Sequence, residues 1–124
     1  MHRQMTIALP RQLHPGKARA LARRITSDWR EQAVCASAKD CEAWFPNPAT
    51  AWEFLAEPLS ACAACPVRRS CLAAALLGDE AGLWAGTDRA DRRPAHARLA
   101  AGAVVDLVLD ELLYKARVRA KEVS

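Results

Sequence analysis

The sequence predicts an all-α chain, a small bundle of about five short helices, and three observations carry that prediction. No stretch shows the period-two alternation of a half-buried strand. Apolar residues recur instead at three- and four-residue steps, most regularly at Val105, Val108, Leu109, Leu112 and Ala116. Capping residues and breakers, among them Asp28, Pro46, Thr50, Pro58, Gly78 and Asp88, divide the remainder into short segments.

Residues 1–26 carry six Arg/Lys and no Asp or Glu, with Pro10, Pro15 and Gly16 among them, and read as a flexible basic arm holding at most a helical turn at 18–24. Order is expected from Ser27, where Ser27 or Asp28 can cap "SDWREQAV", a short helix that delivers Cys35 at its end. "CASAKDCEAWFP" follows as a turn and a single helical turn closed by Pro46. Asn47 or Thr50 then opens "AWEFLAE", which Pro58 should stop or bend. The helical pattern resumes at Leu59 and carries Cys62. After Pro66, "VRRSCLAAALL" is strongly helical, with Cys71 in its middle and Gly78 as its stop. "GDEAGLWAG" has three glycines in nine residues and must be a turn; Thr87 or Asp88 then caps "DRADRRPAHARLA", which Pro94 should kink or shorten. Residues 101–120 form the last helix. The organisation is an arm over 1–26, a cysteine-bearing domain over 27–100 and an amphipathic helix over 101–124.

At 124 residues the chain has the size of one domain, and 52% apolar content suffices for a core, but much of it is alanine, which buries little area per residue. A thin core of this kind leans on a staple, and five cysteines supply one. The net charge of +4 resides in the arm: residues 27–100 hold eight basic against ten acidic side chains, and 101–124 balance four against four. No aromatic residue interleaves with the arm's charges, so it reads as a solvated tail. No apolar run is long enough to span a bilayer and the N-terminus has no continuous apolar segment, so a cytoplasmic protein without membrane association is expected. Close-set thiols in a reducing cytosol are metal ligands or redox groups before they are structural disulfides.

Cys35, Cys62, Cys65 and Cys71 follow the spacing C-x26-C-x2-C-x5-C. A C-x2-C pair in a turn points both sulfurs inward, Cys71 adds a third ligand one helix later, and the loop of Cys35 brings the fourth. Such a thiolate set selects zinc, Cu(I) or an iron–sulfur cluster. Zinc sites commonly pair two short chelate turns, and only one exists here; the Cys65-Pro66 step also recurs beside cluster ligands. The spacing therefore favours a cluster around which the helices wrap. An apo-protein with so weak a core should be largely unfolded. Cys41 is the odd thiol and reads as a spare, semi-exposed one that could exchange disulfides with a ligand cysteine once the cluster is lost.

These residues resemble the WhiB-like family of actinobacterial iron–sulfur transcription regulators. "DWREQAVC" is similar to that family's entry to its first cysteine, "CASAKDCEAWFP" to the segment that ends in two aromatics and proline, "CAACPVRRSCL" to its C-x2-C-P-V-x3-C core, and "GLWAG" to its G-[V/I]-W-G-G turn. The resemblance implies a [4Fe-4S] cluster on Cys35, Cys62, Cys65 and Cys71. It implies docking on the C-terminal domain of the primary sigma factor of RNA polymerase, with a response to O₂ or nitric oxide. Ala85 and Leu83 depart from the turn's usual glycine and β-branched residue, Cys41 replaces a proline and Trp44 a common phenylalanine. The apolar-striped last helix stands where the family often has a strongly basic tail, so DNA contact is expected to be weak on its own.

Trp29, Trp44, Phe45 and Trp84 match the family's sigma contact and are the expected partner-binding face, while Trp52 and Phe54 are expected to fill the core. Gly82 and Gly86 permit the tight reversal that holds Trp84 outward, and Ala85 fits it with a negative φ. Arg68, Arg69, Arg89, Arg92 and Arg93 are expected to be solvated. His2, His14 and His96 have no ligand spacing, and no catalytic triad, phosphate loop or paired-carboxylate motif stands out, so neither an enzyme nor a small-molecule substrate is expected. Two alternatives stay open: a structural zinc protein, and an apo-form thiol-disulfide oxidoreductase using Cys62 and Cys65.

Overall fold

A computed structural model of the chain describes residues 13–38 and 40–124. It contains six α-helices and three 3₁₀ turns among the described residues: α1 (Pro15–Ala22), α2 (Trp29–Gln32), 3₁₀ turns at Val34–Ser37, Cys41–Trp44 and Trp52–Leu55, α3 (Ala56–Ala64), α4 (Arg68–Gly78), α5 (Arg89–Ala100) and α6 (Val105–Val123). The all-α expectation holds. Residues 1–12 of the expected arm lie outside the described residues.

Residues 13–26 depart from the expectation of an arm. Pro15 opens α1 at a position where a missing N–H is harmless, and Leu21 is completely enclosed against α4. Ser70 of α4 fixes the chain that follows: its hydroxyl donates to the Arg24 carbonyl at 3.1 Å and accepts the Thr26 N–H at 3.2 Å. The basic residues that suggested a solvated tail are partly recruited, since Arg24 grips both oxygens of Asp106 on α6 at 3.0 and 2.7 Å.

Helix α6 is the organising element. Its stripe of Val105, Val108, Leu109, Leu112, Ala116 and Ala120 is buried against α3, α4, α5 and α1. It starts at Val105, after Gly102 at φ +106, rather than at residue 101. With Leu21, Leu72, Leu76 and Leu99 the first four of these residues form the main core. The charged flank of α6 is tied down as well: Arg69 bridges Asp106 and Asp110 at 2.7 and 2.6 Å, and Arg98 pairs with Glu111.

Local chemistry sets several boundaries differently from the sequence reading. α2 is one turn long and ends at Gln32, so a separate 3₁₀ turn delivers Cys35; Asp28 enters α2 at φ +59, a conformation aspartate tolerates, without a side-chain cap. Pro58 does not stop a helix. It sits in the first turn of α3, where its N–H would have had no partner. The left-handed residue ending α4 is Asp79 at φ +47, one step beyond Gly78, and its N–H caps the Ala75 carbonyl. α5 runs through Pro94 unbroken, held at its start by a capping box in which Asp88 and Asp91 exchange hydrogen bonds of 2.8 and 3.0 Å.

Candidate metal centre and aromatic groove

Two smaller cores flank the cysteines. One joins Leu55, Leu59, Leu83 and Ala120 to Trp44 and Trp52; the other joins Trp29, Ala33 and Val67 to Cys35, Cys65, Cys71 and Trp84. The 3₁₀ repeat of Trp52–Leu55 explains which aromatic is enclosed. Side chains three apart eclipse, so Trp52 and Leu55 share the inner side. Phe54 is 77% exposed and corrects the expectation that it fills the core.

The four expected ligand cysteines come from four places: Cys35 from the 3₁₀ turn Val34–Ser37, Cys62 from the last turn of α3, Cys65 from its extended C-cap and Cys71 from the first turns of α4. All four line one mostly apolar cavity, walled by Ala61, Trp44, Leu83 and Ala85, with no carboxylate or imidazole on its lining and with Arg68, expected to be solvated, as its one charged side chain. Cys41 does not reach it and is exposed. The cavity is small, about 20 Å³, and among the described residues no three metal-ligating side chains converge on a single ion position.

Burial raises the Cys62 thiol against two opposing contacts, the Trp44 indole N–H, which donates to its sulfur at 3.3 Å, and the Gly86 N–H. Burial, reinforced by Cys62, pushes the Cys71 thiol up to about 12, and the Ala85 N–H opposes it. Cys35 is raised by burial and by Cys65. The Gly86 and Ala85 N–H groups come from the predicted turn. Gly82 has φ +91 and Gly86 φ +78, as the sequence reading requires, but Ala85 is itself left-handed at φ +54, contrary to the expected negative value. Ala85 and Gly86 are both left-handed, and their adjacent N–H groups face the sulfurs of Cys71 and Cys62.

Gly82 is needed for space as well: a Cβ there would stand 2.5 Å from the Phe45 ring and 2.8 Å from the Trp44 carbonyl, which accepts the Leu83 N–H at 2.7 Å. Behind the turn, a Cβ on Gly86 would meet the Ala116 Cβ of α6 at 3.1 Å.

On the other side of the turn lies a groove of about 260 Å³ that brings together Trp29, Trp44, Phe45 and Trp84, with Arg30 on its lining. Trp29 and Trp84 are 6.1 Å apart, and the Arg30 guanidinium stands 4.8 and 5.7 Å from their centroids. Trp29 is buried, Trp44 and Trp84 are half-buried and Phe45 is the open member at 59% exposure. Cys35, Cys41 and Cys71 also border this groove, so cage and groove share walls.

A family model described as Transcription factor WhiB matches residues 29–94, just over half of the chain. The chain belongs to the WhiB family. It is 38% identical to Transcriptional regulator WhiB1 of Mycobacterium tuberculosis strain H37Rv over 57% of this chain and 87% of that protein. It is 39% identical to Transcriptional regulator WhiB of Streptomyces coelicolor over 52% of this chain and 71% of that one. No solved structure matches the chain. The matched WhiB region contains the cage, the groove and the turn, whereas α1 and α6 lie outside it.

Sequence reasoning missed Arg92, grouped there with solvated arginines. It is 3% exposed, and its guanidinium is enclosed beside the WhiB turn. It also missed Arg119, which lies 3.6 Å over the Trp52 ring while gripping the buried Asp91 carboxylate at 2.7 and 3.0 Å. Nothing in the local sequence sets either apart from the neighbouring arginines, because the partners of both are distant in the chain or are backbone carbonyls. Among the described residues no single helix is long and apolar enough to cross a membrane.

Proposed function

We propose that this WhiB-family chain is a redox- and nitric-oxide-responsive transcription regulator of the cytoplasm. On this reading it holds a [4Fe-4S] cluster on Cys35, Cys62, Cys65 and Cys71 and acts through the C-terminal domain of the primary sigma factor. The supporting observation is that these four thiols, and not Cys41, line one apolar cavity whose wall is also the wall of the aromatic groove.

The donor set fits such a group. Four soft sulfurs without a competing oxygen or imidazole suit iron–sulfur or zinc. A single zinc ion needs all four sulfurs about 2.3 Å from one point, whereas a cluster distributes its ligands over several irons, and the single C-x2-C chelate turn with its Cys65-Pro66 step favours the cluster. The small cavity would have to widen, and the wall best suited to yield is the segment of 3₁₀ turns carrying Cys35 and Trp44. When bound, the cluster supplies electron-transfer and gas-reactive chemistry. The chain's part is to exclude water with Leu83, Ala85 and Trp44, to favour thiolates with the N–H groups of Ala85, Gly86 and Trp44, and to present the Trp84 face beside them. Sulfur charge thereby bears directly on the turn that carries the partner-binding ring.

The oxidoreductase alternative needs an accessible, acidified thiol. Cys62 is instead buried with its pKa raised, which argues against it. DNA contact is a minor part of the reading, since Arg69 is held by Asp106 and Asp110 and Arg92 is enclosed. The test is binding of the anaerobically purified protein to the sigma factor's C-terminal domain. Trp84→Ala is expected to weaken it about thirtyfold with iron retained. Undetectable binding by the iron-loaded parent would refute the partner, and parental affinity in Trp84→Ala would refute the face.

A further inference from the structure

We infer that Arg92 is the positioning residue of the 80–87 turn, clamping its entry to its exit so that the turn's N–H groups stay on sulfur and Trp84 stays in the groove. Its role in partner binding rests on the function proposed above, but its effect on the turn does not.

One guanidinium nitrogen of Arg92 donates to the Glu80 carbonyl at 2.6 Å and the Gly82 carbonyl at 3.1 Å, where the turn begins. The other donates to the Thr87 carbonyl at 2.6 Å and the Thr87 hydroxyl at 3.0 Å, where it ends. Thr87 passes the restraint inward: its hydroxyl donates to the Trp84 carbonyl at 2.7 Å, and the two backbones exchange bonds of 2.9 and 3.0 Å. The indole of Trp84 is oriented by its own N–H, which donates to the Ala81 carbonyl at 2.8 Å. Four acceptors on two sides of one turn suit a planar fork and not a point charge; lysine could serve one side only.

The clamp is needed because the turn is under strain. Ala85 is left-handed, and Gly82 lies so close to the Trp44 carbonyl and the Phe45 ring that no Cβ would fit there. Arg92 is carried by α5, whose start is fixed by the Asp88 and Asp91 capping box. Asp91 is in turn gripped by Arg119 of α6. The turn is thus referred through two arginines to the helical core, which lies partly outside the matched WhiB region.

The experiment is amide hydrogen exchange on the full chain purified without oxygen, comparing the parent with Arg92→Met, Arg92→Lys and, as a neighbouring exposed control, Arg93→Met. Exchange at Trp84 and Thr87 should rise about a hundredfold in Arg92→Met, as expected for the loss of charge-assisted bonds on both sides of the turn, with an intermediate rise in Arg92→Lys and none in Arg93→Met. Amides of α4 and α6 should keep their parental protection. An unchanged turn, or an equal rise throughout the chain, would overturn the assignment. If Arg92→Met does not fold, Thr87→Val replaces it and should speed Trp84 exchange about tenfold, an unchanged rate again overturning the inference. Binding to the sigma factor's C-terminal domain is measured alongside. Failure of the parent to bind refutes the proposed partner and leaves the exchange result standing, whereas full binding by Arg92→Met refutes the positioning role.

Discussion

The cysteine-bearing region, residues 29–67 with the 80–87 turn that covers it, and the frame of α1, α4, α5 and α6 are held together by different means. In the frame, Leu21, Leu72, Val108, Leu99 and Leu109 are completely enclosed, and ion pairs join α6 to the turn after α1, to α4 and to α5. In the cysteine region α3 docks Leu59 on α6, but a one-turn helix and three 3₁₀ turns leave Val34, Phe45 and Phe54 exposed, and their order comes from aromatic contacts, N–H groups on sulfur and a strained turn. A leucine core holds its shape by excluding water. A sulfur cage needs something to bond its sulfurs. The expectation of a largely unfolded apo-protein therefore divides: the frame should survive cluster loss and the cysteine region should not.

The comparison is broken most directly by emptying the leucine core. Leu109→Ala removes a fully enclosed side chain at the centre of α6 and should destabilise the chain by about 3 kcal/mol or more in denaturant unfolding, with both regions lost together. Retention of a folded frame in that variant would show that the two regions had been assigned the wrong supports. Glycines provide a matched pair across the divide. Gly82→Ala places a Cβ against Phe45 and Trp44 at positive φ, and should collapse the groove and lower iron retention. Gly102→Ala, also at positive φ but with open space around it, should cost only about 1 kcal/mol and leave iron untouched. Equal iron loss in the two would remove the distinction.

The ion pairs that tie the frame together are titratable. Burial alone would raise the Asp91 carboxyl, but hydrogen bonds from Arg119 and from the Asp88 N–H outweigh it and hold its pKa below the usual carboxylate value. Asp106 is likewise held well below it, by Arg24 and Arg69. Depressed carboxylates stabilise the folded state above their unfolded pKa, about 3.9, and that contribution is lost as pH falls through their folded values. Thermal stability should therefore decline as pH drops below about 4, and Asp91→Asn should flatten the decline. At the small end, Phe54→Ala should change stability by less than about 0.5 kcal/mol, because that ring rests on nothing.

The frame was largely legible in the sequence, and the reasons are local. Val105, Val108, Leu109, Leu112 and Ala116 announce a buried stripe by period alone, and Thr87-Asp88 ahead of a charged run announces a helix start, which Asp88 caps. The cage was legible because cysteine spacing is rare enough to carry meaning. What escaped depends on long-range partners. Lys17, Arg19 and Arg24 look like a tail until Asp106, more than eighty residues away, receives Arg24. Arg92 looks solvated until the turn folds over it, and Ala85 looks unsuited to a positive φ until the sulfurs and Arg92 hold it there. Pro58 was misread because a proline that breaks a helix and one that begins it are the same residue in sequence.

The most direct measurement is the iron and acid-labile sulfide content of the parent and of the five single Cys→Ser variants, all purified without oxygen. The account predicts a [4Fe-4S] complement in the parent and in Cys41→Ser, whose thiol stands outside the cavity. It predicts loss or severe depletion in the variants at Cys35, Cys62, Cys65 and Cys71. An equal iron content across all five variants, or a parent that carries zinc and no sulfide, would contradict it.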